Sequence, residues 1–254
     1  AEIGGGFGGK TIVYLEPLAM VLARKSGSPV KMVMSREEIF RATGPTSGSW
    51  NTVRIGATKD GKITAGSATF RFQAGAFPGA PARPAAMCAF APYDIENVES
   101  VGIDVVMNRP KSNAYRAPGA PIAAHAVEST MDELADKLGL DPVEFRLQNA
   151  AKEGSKAAYG PTFKKIGFVE TLEAAKAHAH YSAPLGPNQG RGVACGFWFN
   201  VGGESSAQLH INEDGTATII TGHPDIGGSR ASMVNITAEM LGVDYRAVRA
   251  QIGD

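Results

Sequence analysis

Residues 4–11, Gly-Gly-Gly-Phe-Gly-Gly-Lys-Thr, form a glycine-rich segment near the start of the chain. Glycine lets a backbone approach a ligand closely and adopts positive φ angles without steric cost. Consecutive backbone N–H groups in such a loop bind anionic groups, above all phosphate. Five glycines within six positions exceed what a turn alone requires. The segment therefore predicts a loop that binds an anionic, hydrogen-bonding ligand.

Two nucleotide-binding patterns match the same residues, and both require a helix that follows the loop directly. Gly4 to Thr11 fits the P-loop pattern G-x-x-x-x-G-K-T, and Gly4, Gly6 and Gly9 fit the dinucleotide pattern G-x-G-x-x-G. Pro17 would interrupt the second turn of a P-loop helix, because proline lacks the N–H and clashes with the preceding turn. The spacing argues against both patterns, and a P-loop nucleotide hydrolase remains the competing enzyme class.

Two later segments also suit an anionic ligand. Tyr115-Arg116-Ala117 stands shortly before an amphipathic helix, and arginine offers a planar fork of donors to phosphate or oxo groups. Residues 222–230 form a second loop, which contains the run Asp-Ile-Gly-Gly-Ser-Arg. His223 lies in this loop and is the best histidine candidate for a ligand contact.

The order and spacing of these motifs resemble the large, molybdenum-cofactor-binding subunit of the xanthine dehydrogenase and aldehyde oxidase family. The resemblance rests on the glycine loop at 4–10, the run Ala-Tyr-Arg-Ala-Pro-Gly-Ala at 114–120 and the following helix with Glu128. It rests further on Asn-Glu-Asp-Gly-Thr at 212–216 and Asp-Ile-Gly-Gly-Ser at 225–229. It covers nearly the whole chain, and the uncommon Tyr-Arg-Ala-Pro-Gly run makes it specific.

The resemblance implies that the intact protein is a molybdenum hydroxylase, which hydroxylates a carbon of an aldehyde or N-heterocycle with oxygen from water. It implies a molybdopterin cofactor with molybdenum, either as such or as the cytosine dinucleotide, and iron–sulfur clusters and FAD on other domains or subunits. The cofactor-binding residues that it implies are Gly6, Phe7, Gly8, Tyr115, Arg116, Ala117, Gly227, Gly228, Ser229 and Arg230. No side chain is expected to ligate the metal. The catalytic residues are unknown, since the family's general-base Glu lies in a segment without a match here.

Three positions depart from the family pattern. Thr11 stands where xanthine-type members have Glu after the lysine of the loop, which counts against xanthine as substrate. Ala117 stands where carbon monoxide dehydrogenases have Cys, which counts against carbon monoxide chemistry. Gly228, Ser229 and Arg230 stand where many members have Gln then Gly, so a pterin or dinucleotide contact would differ.

Hydrophobic periodicity and turn signals predict a mixed α+β fold of two related halves, each with a hairpin, a loop and a helix. The predicted strands cover residues 29–34, 52–58, 62–73, 100–107, 192–199, 206–211 and 216–220. The predicted helices are one with Pro17 in its first turn, 121–138, one after Asp141, 168–178 and 231–241, and residues 75–92 are predicted to be irregular.

We predict a first cofactor-binding domain at 1–151, a connecting segment at 152–190 and the truncated start of a second cofactor-binding domain at 191–254. The cofactor would lie between the two halves. Trp198 and Phe199 either line a substrate funnel or pack in the core.

The composition sets limits on partners and compartment. The chain has 254 residues with 25 basic and 25 acidic side chains, which gives no reason to expect nucleic acid or a membrane surface as partner. No apolar run is long enough to span a bilayer, and no signal-like segment opens the chain. Cys88 and Cys195 form no disulfide framework and are expected to be buried thiols of a cytoplasmic protein.

The ends predict a piece of a longer polypeptide, because the chain starts without Met and stops directly after a predicted strand. We therefore expect the isolated piece to be inactive. Its expected partners are the rest of the large subunit, the iron–sulfur and flavin subunits or domains, and a small aldehyde or N-heterocycle. The remaining alternative is a non-catalytic assembly module.

Overall fold

The computed structural model describes residues 3–44, 46–199 and 202–253. Contacts divide these residues into two units: a larger one, Tyr14–Phe199, and a smaller one that joins the segment up to Val13 with the residues from 202 onward. This division differs from the predicted one because the start of the chain pairs with the loop around Ile226 and because residues 152–199 pack on the larger unit. The predicted domain bounds stay a prediction.

The larger unit is built around a three-stranded sheet with helices against it. Its elements are α1 Glu16–Ser26, α2 Arg36–Ala42, β1 Ser49–Ala57, β2 Ile63–Gly75, α3 Ala82–Cys88, β3 Asn97–Val106, α4 Ala120–Leu138, α5 Pro142–Asn149, α6 Phe168–Ala177 and α7 Ala179–Ser182. The strand order is β1-β2-β3; β1 and β2 are antiparallel, and β2 and β3 are parallel. The predicted hairpin is confirmed, with Gly61 at φ 90° in its turn.

The core of the larger unit lies between one face of β2 and the apolar stripe of α4. Phe70 and Phe72 alternate along β2 and are fully buried, as are Val127 and Met131 on α4. Burying side chains of this size stabilises the fold by roughly 1.5–3 kcal/mol each. The predicted helix at 121–138 is confirmed, and Gly139 ends it in the left-handed conformation.

The smaller unit repeats the same topology. Its elements are β4 Gln208–Ile211, β5 Ala217–Thr221, α8 Ser229–Leu241, a 3-10 turn Tyr245–Ala247 and β6 Val248–Ile252. β4 and β5 form an antiparallel hairpin, and β6 returns parallel to β5 after α8. Each unit thus contains a hairpin followed by a helix and a parallel third strand. The predicted α+β class with mixed sheets and two related halves is confirmed.

Three local predictions were wrong. Residues 29–34 and 192–199 form no strand, and residues 75–92 contain the short helix α3 rather than only irregular backbone. Val33 is 77% exposed, and no strand of the described residues pairs with the segment 29–34. In 192–199 the N–H of Cys195 donates to a side chain instead of to a strand.

Among the described residues, no helix combines the length and the apolar character needed to cross a bilayer.

Candidate cofactor-binding site

The glycine loop closes into a tight turn at its centre. The N–H of Gly9 donates to the carbonyl of Gly6 at 2.9 Å, and the two residues between them, Phe7 and Gly8, have φ angles of 52° and 87°. Positive φ at both central positions defines a primed turn, which favours glycine. Phe7 adopts this conformation with its ring 59% exposed, so the turn presents an aromatic side chain at its tip.

Gly5 makes the position of that ring possible. Its φ is 141°, and a Cβ added there would lie 2.7 Å from two carbon atoms of the Phe7 ring. A side chain at this position would require the Phe7 ring to move. The ring of Phe7 therefore folds back over the backbone of its own loop.

The start of the chain pairs with the second predicted binding loop. Ile3 and Ile226 form a parallel bridge, in which the N–H of Ile3 donates to Asp225 at 2.9 Å and the N–H of Gly227 donates to Ile3 at 2.8 Å. A Cβ on Gly6 would lie 3.6 Å from Ile226. The two glycine loops, which are more than two hundred residues apart in the sequence, therefore lie side by side in the smaller unit.

The two loops offer backbone donors to a ligand. The N–H groups of Gly6, Gly8, Gly228 and Ser229 meet no acceptor among the residues that the structure describes. Gly228 precedes α8 with φ 83°, and a Cβ there would meet no atom within 4 Å. Open N–H groups on side-chain-free backbone suit a flat, anionic, hydrogen-bonding ligand such as a molybdopterin.

Asp225 supplies the cap that Gly228 cannot. Its carboxylate is 8% exposed and accepts the N–H of Arg230 at 3.1 Å, which satisfies a backbone donor in the first turn of α8. The same carboxylate lies 3.5 Å from Nε of Arg230. The backbone of Arg230 is therefore held in place by Asp225, and the charge of its guanidinium is partly offset by the same carboxylate. A cavity of about 630 Å³ lies beside this turn and extends to Tyr245.

The Tyr-Arg-Ala segment belongs to the larger unit and precedes α4. Arg116 is exposed and has no acidic partner in the described part of the chain. Ala117 has φ 54°, an uncommon conformation for a residue with a Cβ, and its carbonyl accepts the N–H of Ala120 at 3.0 Å. Gly119 packs so closely on α3 that a Cβ would lie 2.3 Å from the carbonyl oxygen of Pro81. This close packing fixes the turn that carries Arg116.

Hydrogen bonds also fix the chain that leads into this segment. The buried Ser112 donates from its N–H to Ala74 at the end of β2 at 2.9 Å. The Asn113 amide donates to the Tyr14 hydroxyl at 2.8 Å and accepts the N–H of Ala114 at the same distance. The segment is therefore anchored at both ends.

An apolar cavity of about 360 Å³ lies beside Ala117. Its lining consists of Ala117, Ala120, Pro121, Ala124, Gly196, Phe197 and Trp198. Trp198 is 44% exposed and borders this cavity, whereas Phe199 packs edge-to-face on Tyr159 with ring centroids 5.2 Å apart. The sequence left open whether these two residues line a substrate funnel or pack in the core. In the structure Trp198 lies at a cavity wall, and Phe199 packs in an aromatic cluster.

The predicted binding residues fall into two groups. The smaller unit brings together Gly6, Phe7, Gly8, Gly227, Gly228, Ser229 and Arg230, and the larger unit carries Tyr115, Arg116 and Ala117. That both groups line one site stays a prediction. His223 is exposed, its N–H lies 3.4 Å from the Thr221 hydroxyl, and its ligand contact also stays a prediction.

The helix after the glycine loop starts too late for a P-loop. α1 begins at Glu16 after Leu15, whereas Lys10 and Thr11 lie in turns and bends. The Thr11 hydroxyl donates to the carbonyl of Gly8 at 3.2 Å. In a P-loop the lysine and threonine stand at the start of the helix, with the helix N-terminus at the phosphates. The described geometry therefore lacks the arrangement that phosphate binding by a P-loop requires.

A buried ionic cluster in the larger unit escaped the sequence analysis. Arg146 is fully buried and donates from Nε to the Glu128 carboxylate at 2.9 Å, and Tyr93 donates to the other oxygen of Glu128. Burial lowers the pKa of Arg146, but the negative charge of Glu128 and the hydrogen bonds to Asp132 and Glu128 outweigh burial, so the pKa is raised overall. Burial, then the Glu128 charge, raise the pKa of Tyr93, so it stays a donor. Cys195 lies in the same cluster, where burial raises its pKa to about 11.

Within the described residues, no group of three His, Cys, Asp or Glu side chains is placed to hold a metal ion.

Comparisons with known proteins agree with this geometry. Two models described as molybdopterin cofactor-binding domains match residues 1–150 and 162–254. The chain is 35% identical to the aldehyde oxidoreductase molybdenum-binding subunit PaoC of Escherichia coli, over 99% of this chain and 36% of that protein. It is also 35% identical to the nicotinate dehydrogenase large molybdopterin subunit of Eubacterium barkeri, over 70% of this chain and 43% of that protein.

A solved structure shares the fold. The aldehyde oxidoreductase of Desulfovibrio desulfuricans superposes with a TM-score of 0.80 at 27% identity, over 98% of this chain and 30% of that one. The chain therefore belongs to the molybdopterin cofactor-binding family, that of molybdenum hydroxylases of the aldehyde oxidoreductase and xanthine dehydrogenase type. It spans about a third of the length of two curated relatives, PaoC and the putative xanthine dehydrogenase molybdenum-binding subunit XdhA of Escherichia coli.

Proposed function

We propose that the intact protein is a molybdenum hydroxylase that oxidises a carbon of an aldehyde or N-heterocycle with oxygen from water, and that this chain supplies loops that bind the cofactor. The observation that carries the proposal is the pairing of the two glycine loops, at 4–9 and 225–229, with open backbone donors on both. The family models that match the chain support the same assignment.

Each group of residues has a distinct task in this proposal. The N–H groups of Gly6, Gly8, Gly228 and Ser229 donate to oxygen and nitrogen atoms of the pterin or to its phosphate. Arg116, an exposed guanidinium without an acidic partner in the described chain, adds a charged donor to an anionic group of the cofactor. When bound, the cofactor supplies the two-electron oxidation. In this proposal the general base and the electron acceptors belong to parts of the protein other than this chain.

The substrate class follows from the cavity beside Ala117 and from the relatives. The cavity walls are apolar, which suits the hydrocarbon part of a small aldehyde or heterocycle. The names of two relatives specify aldehyde and nicotinate oxidation, which are the two chemistries proposed here. Thr11 and Ala117 stand against xanthine and carbon monoxide, respectively, as substrates.

The remaining parts of the proposal concern the whole protein. We propose that residues 1–151 and 191–254 belong to two cofactor-binding domains, with the cofactor as molybdopterin or its cytosine dinucleotide. The partners are the rest of the large subunit and iron–sulfur and flavin subunits or domains, in the cytoplasm.

The test is isotope incorporation by the intact, purified protein. A dye-linked assay over a panel of aldehydes and N-heterocycles first identifies a substrate, and turnover in ¹⁸O-labelled water under unlabelled oxygen gas follows. We expect the product of an N-heterocycle to carry one ¹⁸O atom from water and the dye to take up two electrons per product. An aldehyde is less suitable for the labelling, because hydration exchanges its own carbonyl oxygen with the labelled water. The reversed labelling uses unlabelled water under ¹⁸O-labelled oxygen gas. Product that is labelled only in this reversed experiment would contradict the proposal, because it would indicate an oxygenase.

A further inference from the structure

The segment 192–199 crosses the larger unit as an isolated stretch of chain. It belongs to no strand, and among the described residues its backbone hydrogen bonding to the rest of the unit is the single bond from the N–H of Cys195 to Oε2 of Glu128, at 2.7 Å. The Cys195 thiol also interacts with Tyr93 and Arg146 of the same ionic cluster. The aromatic side chains further along the segment make ring contacts, as between Phe197 and Tyr159 with centroids 5.6 Å apart. The Glu128 carboxylate is therefore the hydrogen-bonding anchor of the backbone of this segment.

The carboxylate is itself held rigidly. Tyr93 donates to Oε1, and Nε of Arg146 donates to Oε2 at 2.9 Å, so three donors from three parts of the chain meet on one buried side chain. Glu128 is 4% exposed, and Arg146 makes a further bond to Asp132 at 2.8 Å. A charged acceptor that is fully bonded in a low-dielectric interior has little freedom to move.

The residues directly after the anchor form a wall of the apolar cavity. Gly196, Phe197 and Trp198 face residues of the turn and first helical turns that follow Arg116, among them Ala117 and Pro121. The wall begins one residue after Cys195. A displacement of the backbone at Cys195 therefore moves the wall relative to Ala117.

We propose that Glu128 is a positioning residue, which fixes the backbone at Cys195 so that Phe197 and Trp198 form the cavity wall that takes the apolar part of the substrate. That the wall takes the apolar part of a substrate rests on the proposed function. That Glu128 positions the wall does not. Glu128 is buried and its carboxylate is occupied by three donors, so it acts through Cys195 and not on the substrate.

Stability alone does not explain an ionic anchor. Replacing a buried ion pair by apolar residues of similar volume often leaves stability unchanged or improves it, because both charges lose their hydration on burial. An apolar pair at these two positions would fill the same volume but could not accept an N–H. The property that an apolar pair would lack is the directed bond to Cys195.

The first experiment measures hydrogen exchange of the backbone amides by mass spectrometry on the intact protein. The informative variant is the double substitution Glu128→Leu with Arg146→Met, which removes the acceptor without leaving an unpaired buried charge. We expect exchange of the Cys195 amide, resolved from overlapping peptides within 192–199, to rise roughly tenfold or more, as loss of a bond to a charged acceptor predicts. Peptides from the middle of β2 should stay protected.

Two single variants complete the comparison. Asp132→Ala removes a partner of Arg146 but not the bond to Cys195, so it should leave exchange in 192–199 unchanged. Glu128→Gln retains an acceptor of the same shape and should restore most of the protection. Unchanged exchange in 192–199 of a folded double variant would overturn the inference, as would equal increases in Asp132→Ala.

The second experiment separates KM from kcat with two substrates of different size. In the double variant we expect KM for a bulky aromatic aldehyde to rise several-fold, with kcat and the kinetics of a two-carbon aldehyde nearly unchanged. Increased exchange without any change in this size preference would overturn the role of the wall in substrate binding. A wild-type protein that turns over no aldehyde and no N-heterocycle would refute the proposed function instead, and the exchange experiment would still decide the positioning role.

Discussion

Arg116 and Arg146 have the same side chain but opposite environments and different roles. Arg146 is fully buried and bonded to Glu128, Asp132 and the backbone of Pro142, which makes it part of the scaffold. Arg116 is exposed on a turn that Gly119 holds against α3. A cation with no acidic partner in the described chain, on fixed backbone, is available to an anionic ligand.

The two cysteines provide a test at the scale of single residues. Burial raises the pKa of Cys88 to about 11, and burial also dominates the rise of the Cys195 pKa to about 11. Only the thiolate reacts with alkylating reagents, so at pH 8 roughly one thiol in a thousand is reactive. We expect both cysteines to resist iodoacetamide at pH 8 in the native protein and to react after unfolding, as read by peptide mapping. Rapid native alkylation of either would show that its thiol is accessible and not buried.

The same shifts predict how stability depends on pH. A thiol whose pKa is higher in the folded state than its ordinary value of 9.0 contributes stability that is present below pH 9 and is lost between pH 9 and about 11. The stability lost between pH 9 and about 11 should therefore be smaller in Cys195→Ala than in the wild-type protein.

At this scale the sequence predicted the motif residues but not the ionic cluster. Gly6, Arg116 and Gly228 stood out because glycine clusters and an uncommon run mark them. Glu128 carried a signal as well, since it falls on the apolar stripe of the helix together with Met131 and Ala135. A carboxylate on a buried stripe requires a partner, but the partner, Arg146, is eighteen residues away and only the packing of α5 on α4 identifies it.

Among the elements, α4 shows what a glycine at each end of a helix does. Gly119 and Gly139 both have left-handed φ angles, 87° and 67°. A Cβ at Gly119 would overlap the Pro81 carbonyl oxygen, whereas at Gly139 it would meet no atom within 4 Å. The first glycine is therefore required by packing and by backbone conformation, and the second by conformation alone.

This difference predicts two substitutions of unequal cost. Gly139→Ala should destabilise the protein by about 1–2 kcal/mol, the cost of a left-handed residue with a Cβ. Gly119→Ala adds the overlap with Pro81 to the same conformational cost, so it should destabilise the protein clearly more than Gly139→Ala does. The measurement is the free energy of unfolding from urea titrations of the intact protein. Equal losses for the two variants would show that α3 moves aside without cost.

Local signals predicted the elements that are stabilised locally. The hairpin turn at Gly61 and the end of α4 at Gly139 depend on nearby residues, and both were predicted. The strands predicted at 29–34 and 192–199 failed because a strand needs a neighbouring backbone that sequence periodicity cannot supply. Residues 192–199 have strand-forming composition, yet their described hydrogen bond goes to Glu128.

For the whole molecule, the repeated topology explains how one chain forms two related sheets. Each unit has an antiparallel hairpin, then a helix, then a parallel third strand. The sequence predicted the two related halves from their shared order of elements. It could not predict that Ile3 pairs with Ile226, because that pairing joins the two ends of the chain and no local pattern encodes it.

The molybdopterin site of this chain is tested most directly by the molybdenum and pterin content of the intact protein per polypeptide. We expect about one molybdenum and one pterin in the wild-type protein, as one site per chain implies. Arg116→Ala should lower both without changing the melting temperature, and the exposed Arg24→Ala on α1 should change neither. A protein free of pterin that binds magnesium-ATP in equilibrium dialysis, with binding abolished by Lys10→Ala, would contradict the account and identify the glycine loop as a nucleotide site.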